Sequence, residues 1–261
     1  MTDIELRPRS TSEIVDAAFQ LVRGHYLAYV MIAALFSAPG IAYAAVQYDT
    51  IMGGGPTRIN WSAALLSFAV SMSFSLVNEA VSIAAMSRPY LGQSLDVGGA
   101  VSTALRRLIP LVLAQIVRFV VMAIGFVLLF VPGIYIGVRT YCLGAVVVLE
   151  PESSSPFAIF GRTWRLSEKD EMRIFLAGLL SMVLIVVGVV AGTMLATGIG
   201  AVVPGLGGPR MHQLLQSAFM CFVAPIGAAV ITVLYYDLRI RREGFDLEMG
   251  SRSLGAEAAT P

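Results

Sequence analysis

The chain has 261 residues, of which 57% are hydrophobic and only 13% are charged, and its mean hydropathy is +0.78. Water-soluble domains carry about 25% charged residues. This composition excludes an ordinary soluble domain and predicts an integral membrane protein. The net charge of +1 comes from basic residues scattered between apolar runs, so it gives no basic patch for nucleic acid.

Six apolar runs are long enough to cross a bilayer, which takes about 20 residues per helix. The predicted spans are 27–46, 61–86, 108–131, 134–150, 174–203 and 214–238. We therefore predict an all-α polytopic membrane bundle of six transmembrane helices, forming a single domain over 1–245. A flexible cytoplasmic tail is predicted over 246–261. The polar, mixed-charge start of the chain does not resemble a secretory signal peptide.

Basic residues alternate between the two sides of these spans. Fourteen Lys and Arg residues fall on the side of the N-terminus, the second loop, the fourth loop and the C-terminus, whereas only Arg58 and Arg210 fall on the other side. Basic loops stay in the cytoplasm. Both termini are therefore predicted to be cytoplasmic, in agreement with an even number of spans.

Glycine and proline predict where these helices turn or pack closely. Pro132-Gly133 is predicted to separate the third span from the fourth, and Pro39 and Pro225 predict kinks or early helix ends. The fifth span repeats small residues every fourth position, which predicts a close helix contact within the chain or with a second copy. These small residues are Gly188, Gly192, Ala196 and Gly200.

Three segments that precede outgoing spans have the pattern of short amphipathic interfacial helices. The first begins with a Ser10…Glu13 capping box and carries an apolar face; the second covers 97–108. The third begins at Ser155-Pro156. The predicted apolar face of the first helix consists of Val15, Ala18, Phe19, Val22 and Tyr26. That of the third consists of Phe157, Phe160 and Trp164, with Arg162 and Arg165 turned away. Such helices either dock a ligand such as anionic lipid or only pack as elbows.

Three ionisable residues lie deep within the predicted spans: Glu79, Arg118 and Arg139. At about 1.5 Å per residue, they lie roughly 11, 15 and 17 Å from the cytoplasmic end of their spans. Each is costly if unpaired, by about 2.5–3.5 kcal/mol. We therefore predict a buried charge cluster of these three residues, with one surplus positive charge. It serves either as a latch between helices or as a site for an anion.

The second span also carries a polar stripe at helical spacing, which is expected to face the bundle interior. Its members are Ser67, Ser71, Ser75, Asn78 and Ser82, together with Glu79.

The sequence contains no arrangement typical of catalysis. His25 and His212 are predicted on opposite sides of the membrane, and both cysteines, Cys142 and Cys221, lie within apolar runs. The carboxylates of Glu150 and Glu152 are typical of a solvated helix end. We therefore predict no catalytic, cofactor-binding or metal-binding residues, and a protein that is not an enzyme.

Several stretches together resemble the glycerophosphoryl diester phosphodiesterase membrane domain, a bacterial six-span family. They extend over nearly the whole chain, and the C-terminal exit motif is the most specific. The matching stretches are Ser12-Glu13-Ile14-Val15-Asp16-Ala17-Ala18-Phe19, Phe130-Val131-Pro132-Gly133-Ile134-Tyr135, Thr163-Trp164-Arg165-Leu166, and Leu234-Tyr235-Tyr236-Asp237-Leu238-Arg239 through Arg242-Glu243-Gly244-Phe245-Asp246.

The resemblance implies a module of the bacterial inner membrane without the catalytic barrel of the enzymes that share its name. At the cytoplasmic exit of the last span, Tyr236, Asp237 and Arg239 are the candidate residues, and Tyr235-Tyr236 suits an interfacial aromatic belt. Asp237 is predicted to bind an arginine of one of the surface helices.

These observations favour a non-enzymatic membrane module that scaffolds a partner or associates with lipid. The alternatives are a carrier or lipid-handling protein with an anion site at Arg118, Arg139 and Glu79, and an enzyme acting on phospholipid-derived diesters. The candidate partners are the lipid bilayer, anionic lipid, a membrane-protein partner and a second copy of the chain, but not nucleic acid.

Overall fold

The computed structural model describes residues 8–52, 59–150, 155–203 and 205–245, and within these residues it contains helices and no strands. The predicted tail over 246–261, together with Arg7, Arg58, Glu152 and Arg252, lies outside the described residues. The helices are α1 Thr11–Gly24, α2 Tyr26–Val46, α3 Tyr48–Met52, α4 Trp61–Tyr90, α5 Val97–Leu128, α6 Phe130–Arg139, α7 Leu143–Leu149, α8 Pro156–Leu166, α9 Glu171–Val202 and α10 Pro209–Glu243.

The all-α membrane architecture predicted from the sequence is confirmed. Six helical segments in the described ranges are long and apolar enough to span a bilayer. They are α2, α4, α5, the pair α6 and α7, α9 and α10. The apolar runs explain this length, because a helix that satisfies its own backbone hydrogen bonds is the favoured way to cross hydrocarbon.

Helix α1 begins as predicted, at a capping box. The Ser10 backbone N–H donates to Glu13 Oε2 at 2.7 Å, and the Glu13 backbone N–H donates to Ser10 Oγ at 3.4 Å. Three residues of its predicted apolar face, Val15, Ala18 and Val22, are buried, whereas Phe19 and Tyr26 are exposed. The buried face, which packs against α10, also includes Ile14, Ala17 and Leu21.

The second predicted surface helix is not a separate element. Helix α5 begins at Val97, capped by the Asp96 side chain, and continues to Leu128. Pro110 lies inside it without ending it. Two of the three predicted surface helices, α1 and α8, are therefore distinct elements, whereas the other is the first part of a spanning helix.

The fourth span is broken, and its boundary with the third lies earlier than predicted. The turn between α5 and α6 is at Leu129, whose backbone is extended, and Pro132-Gly133 lies in the first turn of α6. Proline is tolerated there because the first backbone N–H groups of a helix have no partner within it. Thr140–Cys142 then separates α6 from α7 within the apolar run.

Close helix contacts occur where glycine allows them. Helix α2 continues past Pro39, and a Cβ atom added at Gly40 would lie 3.3 Å from the Ser71 Cα atom of α4. On α9, added Cβ atoms at Gly188 and Gly192 would lie 3.0 Å and 2.9 Å from side-chain atoms of α10. The small-residue ridge of α9 therefore packs within the chain. Helix α10 likewise continues past Pro225.

One end of the bundle is held together by ion pairs and carries most of the buried core. There, Arg9 near the N-terminus contacts Asp237 near the end of α10, so these two parts of the chain lie at the same end. Helix α7 is central to this core, because Leu143, Gly144 and Ala145 through Val148 are all buried. We call this the arginine-rich end and the half containing Asp49 and Arg210 the opposite half.

Candidate functional site

The ionic partner of Arg139 is Glu171 of α9, and not Glu79 as predicted. The Arg139 guanidinium also lies 4.6 Å from the ring centre of Trp164 and 5.7 Å from that of Tyr135. Ser167 Oγ donates to the Arg139 carbonyl at 2.9 Å. The fourth span breaks directly after Arg139, so a depth for Arg139 cannot be counted from Glu150 along one straight helix.

Glu79 and Arg118 remain near each other inside the bundle. The Glu79 carboxylate lies against α7, where a Cβ atom added at Gly144 would be 3.2 Å from Glu79 Cδ. Arg118 attracts Glu79 electrostatically and lies 3.4 Å from Gln115 Oε1. Since Arg139 has Glu171 as its counter-charge, Arg139 does not supply the surplus positive charge that was predicted.

The polar stripe of α4 divides into a buried part and a part that lines a cavity. Ser67 and Ser82 are buried among neighbouring helices. Ser71, Ser75 and Asn78 line two adjoining cavities of about 230 Å³ and about 450 Å³ between α2, α4 and α10. Both cavities are lined by Ser37, Ile41, Ser75 and Ser217, so we treat them as one site, the polar cavity.

The lining of the polar cavity combines uncharged polar groups with apolar ones. Its polar members are Ser37, Ser71, Ser75, Asn78, Gln213, Gln216 and Ser217. Its larger apolar members are Ile41, Phe74 and Met220, with Cys221 at its margin. The Asn78 Oδ1 atom is buried and has no hydrogen-bond partner among the described residues. The cavity can therefore donate hydrogen bonds to a ligand and accept them from it.

Four of the seven polar residues that line this site were not predicted. The sequence analysis identified the α4 stripe, but not Ser37 of α2 or the polar residues of α10. Gln216 and Ser217 follow Gln213 by three and four positions, which places them on the same helix face as Gln213. That spacing was the signal available in the sequence.

Asp237 organises the arginine-rich end from a fully buried position. Its carboxylate accepts hydrogen bonds from the Arg9 backbone N–H at 2.6 Å, Arg241 Nε at 2.9 Å and Arg173 Nη1 at 3.3 Å. Arg241 Nη2 also donates to the Arg9 carbonyl at 2.7 Å. The prediction was an arginine from a surface helix, whereas the arginines come from α9 and α10, and the segment before α1 contributes backbone.

Glu150 belongs to a second ionic network rather than to a solvated helix end. Arg162 donates to both of its carboxylate oxygens, at 2.8 Å and 3.0 Å, and also pairs with Glu243. Hydrogen bonds to Glu243 and Glu150 raise the pKa of Arg162 above its usual range, so it stays charged. The Tyr235 hydroxyl donates to Glu150 at 2.9 Å. Arg162 is therefore not turned away from the bundle as predicted.

The predicted exit residues lie in the same region, but not as an interfacial belt. Tyr235 and Tyr236 are buried, and the Tyr236 ring stacks on Tyr90 with centres 4.9 Å apart. The Arg239 guanidinium lies 4.3 Å from the ring centre of Phe245. The stack of Tyr90 and Tyr236 ties the end of α10 to α4.

The predicted face of α8 is rotated relative to its buried face. Phe157 is 76% exposed, and the buried residues are Ile159, Thr163 and Leu166. Phe160 and Trp164 are partly buried and stack on each other with ring centres 5.8 Å apart. Trp164 then provides the ring that Arg139 covers, so this helix is anchored to the bundle.

The comparisons with known proteins give no match: no protein-family model, no curated protein and no solved structure matches the chain. The family resemblance drawn from the sequence motifs therefore stays a prediction. Within the described ranges, no group of three or more His, Cys, Asp or Glu side chains is arranged to hold a metal ion.

Proposed function

We propose that this protein is a non-enzymatic membrane protein that binds an amphipathic molecule of the bilayer in its polar cavity. The observation that carries the proposal is the convergence of hydroxyl and amide side chains from α2, α4 and α10 on one site within apolar helices. Ile41, Phe74 and Met220 lie beside them. A lining of both kinds matches a ligand with a polar and an apolar part.

The energetics of polar groups in a membrane support this proposal. Polar side chains in hydrocarbon are unfavourable unless they find partners, and they concentrate at helix contacts and functional sites. Here several of them surround open space rather than one another. The larger cavity, at about 450 Å³, lies within the usual range of small-molecule sites.

Lipid association is favoured over the predicted anion carrier. That alternative required an uncompensated arginine in the interior, and Arg139 pairs with Glu171. Arg118 lies near the Glu79 carboxyl group and donates a hydrogen bond to Gln115 Oε1, so it has partners within the chain. We also prefer lipid association to a scaffold, because a scaffold does not require a cavity.

We infer that the protein resides in a bacterial cytoplasmic membrane with both termini in the cytoplasm. The basic-residue asymmetry between the two sides supports this orientation. The resemblance to the six-span membrane-domain family supports the bacterial location.

Thiol protection tests the proposed function. In a background with Cys142→Ala and Cys221→Ala, Ser75→Cys provides a single thiol in the cavity. We expect N-ethylmaleimide to label the detergent-purified protein and a bacterial polar lipid extract to slow this labelling at least about tenfold, because bound lipid occupies the site. Mass spectrometry of the intact protein measures the labelling.

Ser73→Cys in the same background is the matched control. Ser73 lies on the same helix, is exposed, does not line the cavity and donates to the Ala69 carbonyl at 2.9 Å. Added lipid should slow the labelling of Ser73→Cys only by the small amount that nonspecific shielding causes. Equal effects of lipid at both positions would overturn the proposed function.

A further inference from the structure

Resting on the proposed function, we infer that the polar part of the ligand is an uncharged, hydroxyl-rich headgroup, as in a neutral glycolipid. The inference comes from the kind of polar groups that line the cavity and from the charges that are absent from this lining. A cavity alone does not define the class of ligand, whereas the chemistry of its lining does.

The lining residues supply no counter-charge for an ionised headgroup. The cavity lining, as far as the structure describes it, contains no Asp, Glu, Lys, Arg or His. Glu79 follows Asn78 in sequence, but its carboxylate lies against Gly144 and is attracted by Arg118. A phosphate in the cavity would therefore be desolvated without an ionic partner, which is unfavourable.

The hydrogen-bonding groups match hydroxyls. Serine hydroxyls and the amides of Asn and Gln each donate and accept hydrogen bonds, and so does every hydroxyl of a sugar or glycerol. The buried Asn78 Oδ1 atom has no partner within the part of the chain that the structure describes, so it can accept a hydrogen bond from a ligand hydroxyl. Because several side chains of the cavity can each donate and accept hydrogen bonds, the lining favours a headgroup with several hydroxyls over one with a single hydroxyl.

The apolar part of the lining fits the remaining surface of such a headgroup. The ring of Phe74 and the side chain of Ile41 lie beside Ser71 and Ser75 in the smaller cavity. Met220 and Ala224 lie beside Gln216 in the larger one. These side chains can contact the C–H groups of a sugar ring and the first carbons of the attached lipid.

Native mass spectrometry with defined lipids tests this inference on the full chain in detergent. The protein is titrated with equal amounts of monoglucosyl diacylglycerol and phosphatidylglycerol that carry the same acyl chains. We expect the glucosyl lipid to bind at least about tenfold more tightly, the effect of roughly one hydrogen bond to a buried group. Ser75→Lys, which adds a cation to the cavity, should reverse the preference, whereas Ser73→Lys should not.

The two proposals fail differently in these experiments. Tighter or equal binding of phosphatidylglycerol by the unchanged chain, together with lipid protection of a thiol at position 75, overturns the neutral-headgroup inference and leaves the proposed function standing. Absence of that protection, with neither lipid bound above the level of a detergent control, overturns both. If Ser75→Lys does not fold, the unchanged chain's preference between the two lipids still decides the inference.

Discussion

The Asp237 carboxylate connects three separate parts of the chain. It is fully buried, and it joins the segment before α1, the start of α9 and the end of α10. A buried charge is tolerated only when partners compensate for its lost hydration. Two guanidinium groups and a backbone N–H provide that compensation here, so removal of the carboxylate leaves several donors without their acceptor.

We therefore expect Asp237→Ala to lower the free energy of unfolding by about 3–5 kcal/mol, the range for removing one partner of a buried ion pair. Unfolding of the detergent-solubilised protein, followed by the helical circular dichroism signal against added denaturing detergent, provides the measurement.

Asp49→Ala is the matched control, because Asp49 pairs with Arg210 at a largely exposed position. An exposed ion pair contributes below about 1 kcal/mol. If both substitutions change stability equally, Asp237 is not the centre of the arginine-rich end.

Among the helices, α9 and α10 depend on small residues for their contact. An added Cβ atom at Gly192 would meet the Phe219 ring at 2.9 Å, and one at Gly188 would meet Val223 at 3.0 Å. Small residues let two helix backbones approach closely within a membrane. The facing surfaces of α9 and α10 therefore fit together only when the residues at positions 188 and 192 are small.

Gly192→Leu is expected to separate these helices and to lower the free energy of unfolding by about 1–3 kcal/mol, as overpacking does. Gly198→Leu, on the same helix at a position with open space around it, should have little effect. The same detergent unfolding curves compare the two variants. Similar losses would show that the added side chain, rather than the contact between α9 and α10, explains the result.

The spans could be predicted because length and hydropathy alone define them, but the break in the fourth span could not. Thr140–Cys142 contains neither glycine nor proline, so no local signal marks the end of α6 there. Conversely, Pro39, Pro110 and Pro225 are typical helix breakers, yet they lie inside helices. Packing against neighbouring helices overrides local propensity at these positions.

The candidate site could also be predicted only in part from the sequence. The α4 stripe pointed to the bundle interior, and three of its members line the polar cavity. The partner of Arg139 was not predictable, because it depends on where α9 begins beside α6. Single-helix periodicity identifies a polar face, but not which other helices complete the site.

Across the whole molecule, the two halves differ in character. The arginine-rich end contains the buried core and the ionic networks, whereas the polar cavity is lined by residues within 37–44 of α2, 71–78 of α4 and 213–224 of α10. One half is thus closely packed, and the other contains open space.

The proposed orientation predicts that thiols at the two ends react from opposite sides of the membrane. In the cysteine-free background, Gly208→Cys should react with a membrane-impermeant maleimide in intact cells, whereas Arg165→Cys should react only after permeabilisation. Both positions are exposed. Basic residues remain on the cytoplasmic side, which is the physical reason. The opposite pattern would reverse the topology.

The bond between the Arg9 backbone and the Asp237 carboxylate joins residues 228 positions apart. It cannot form while the ribosome is still making the chain that precedes Asp237. Until then, α1 cannot pack its buried face against the complete α10. The packing of α1 against α10 is therefore a late step of folding, which follows synthesis of the last helix.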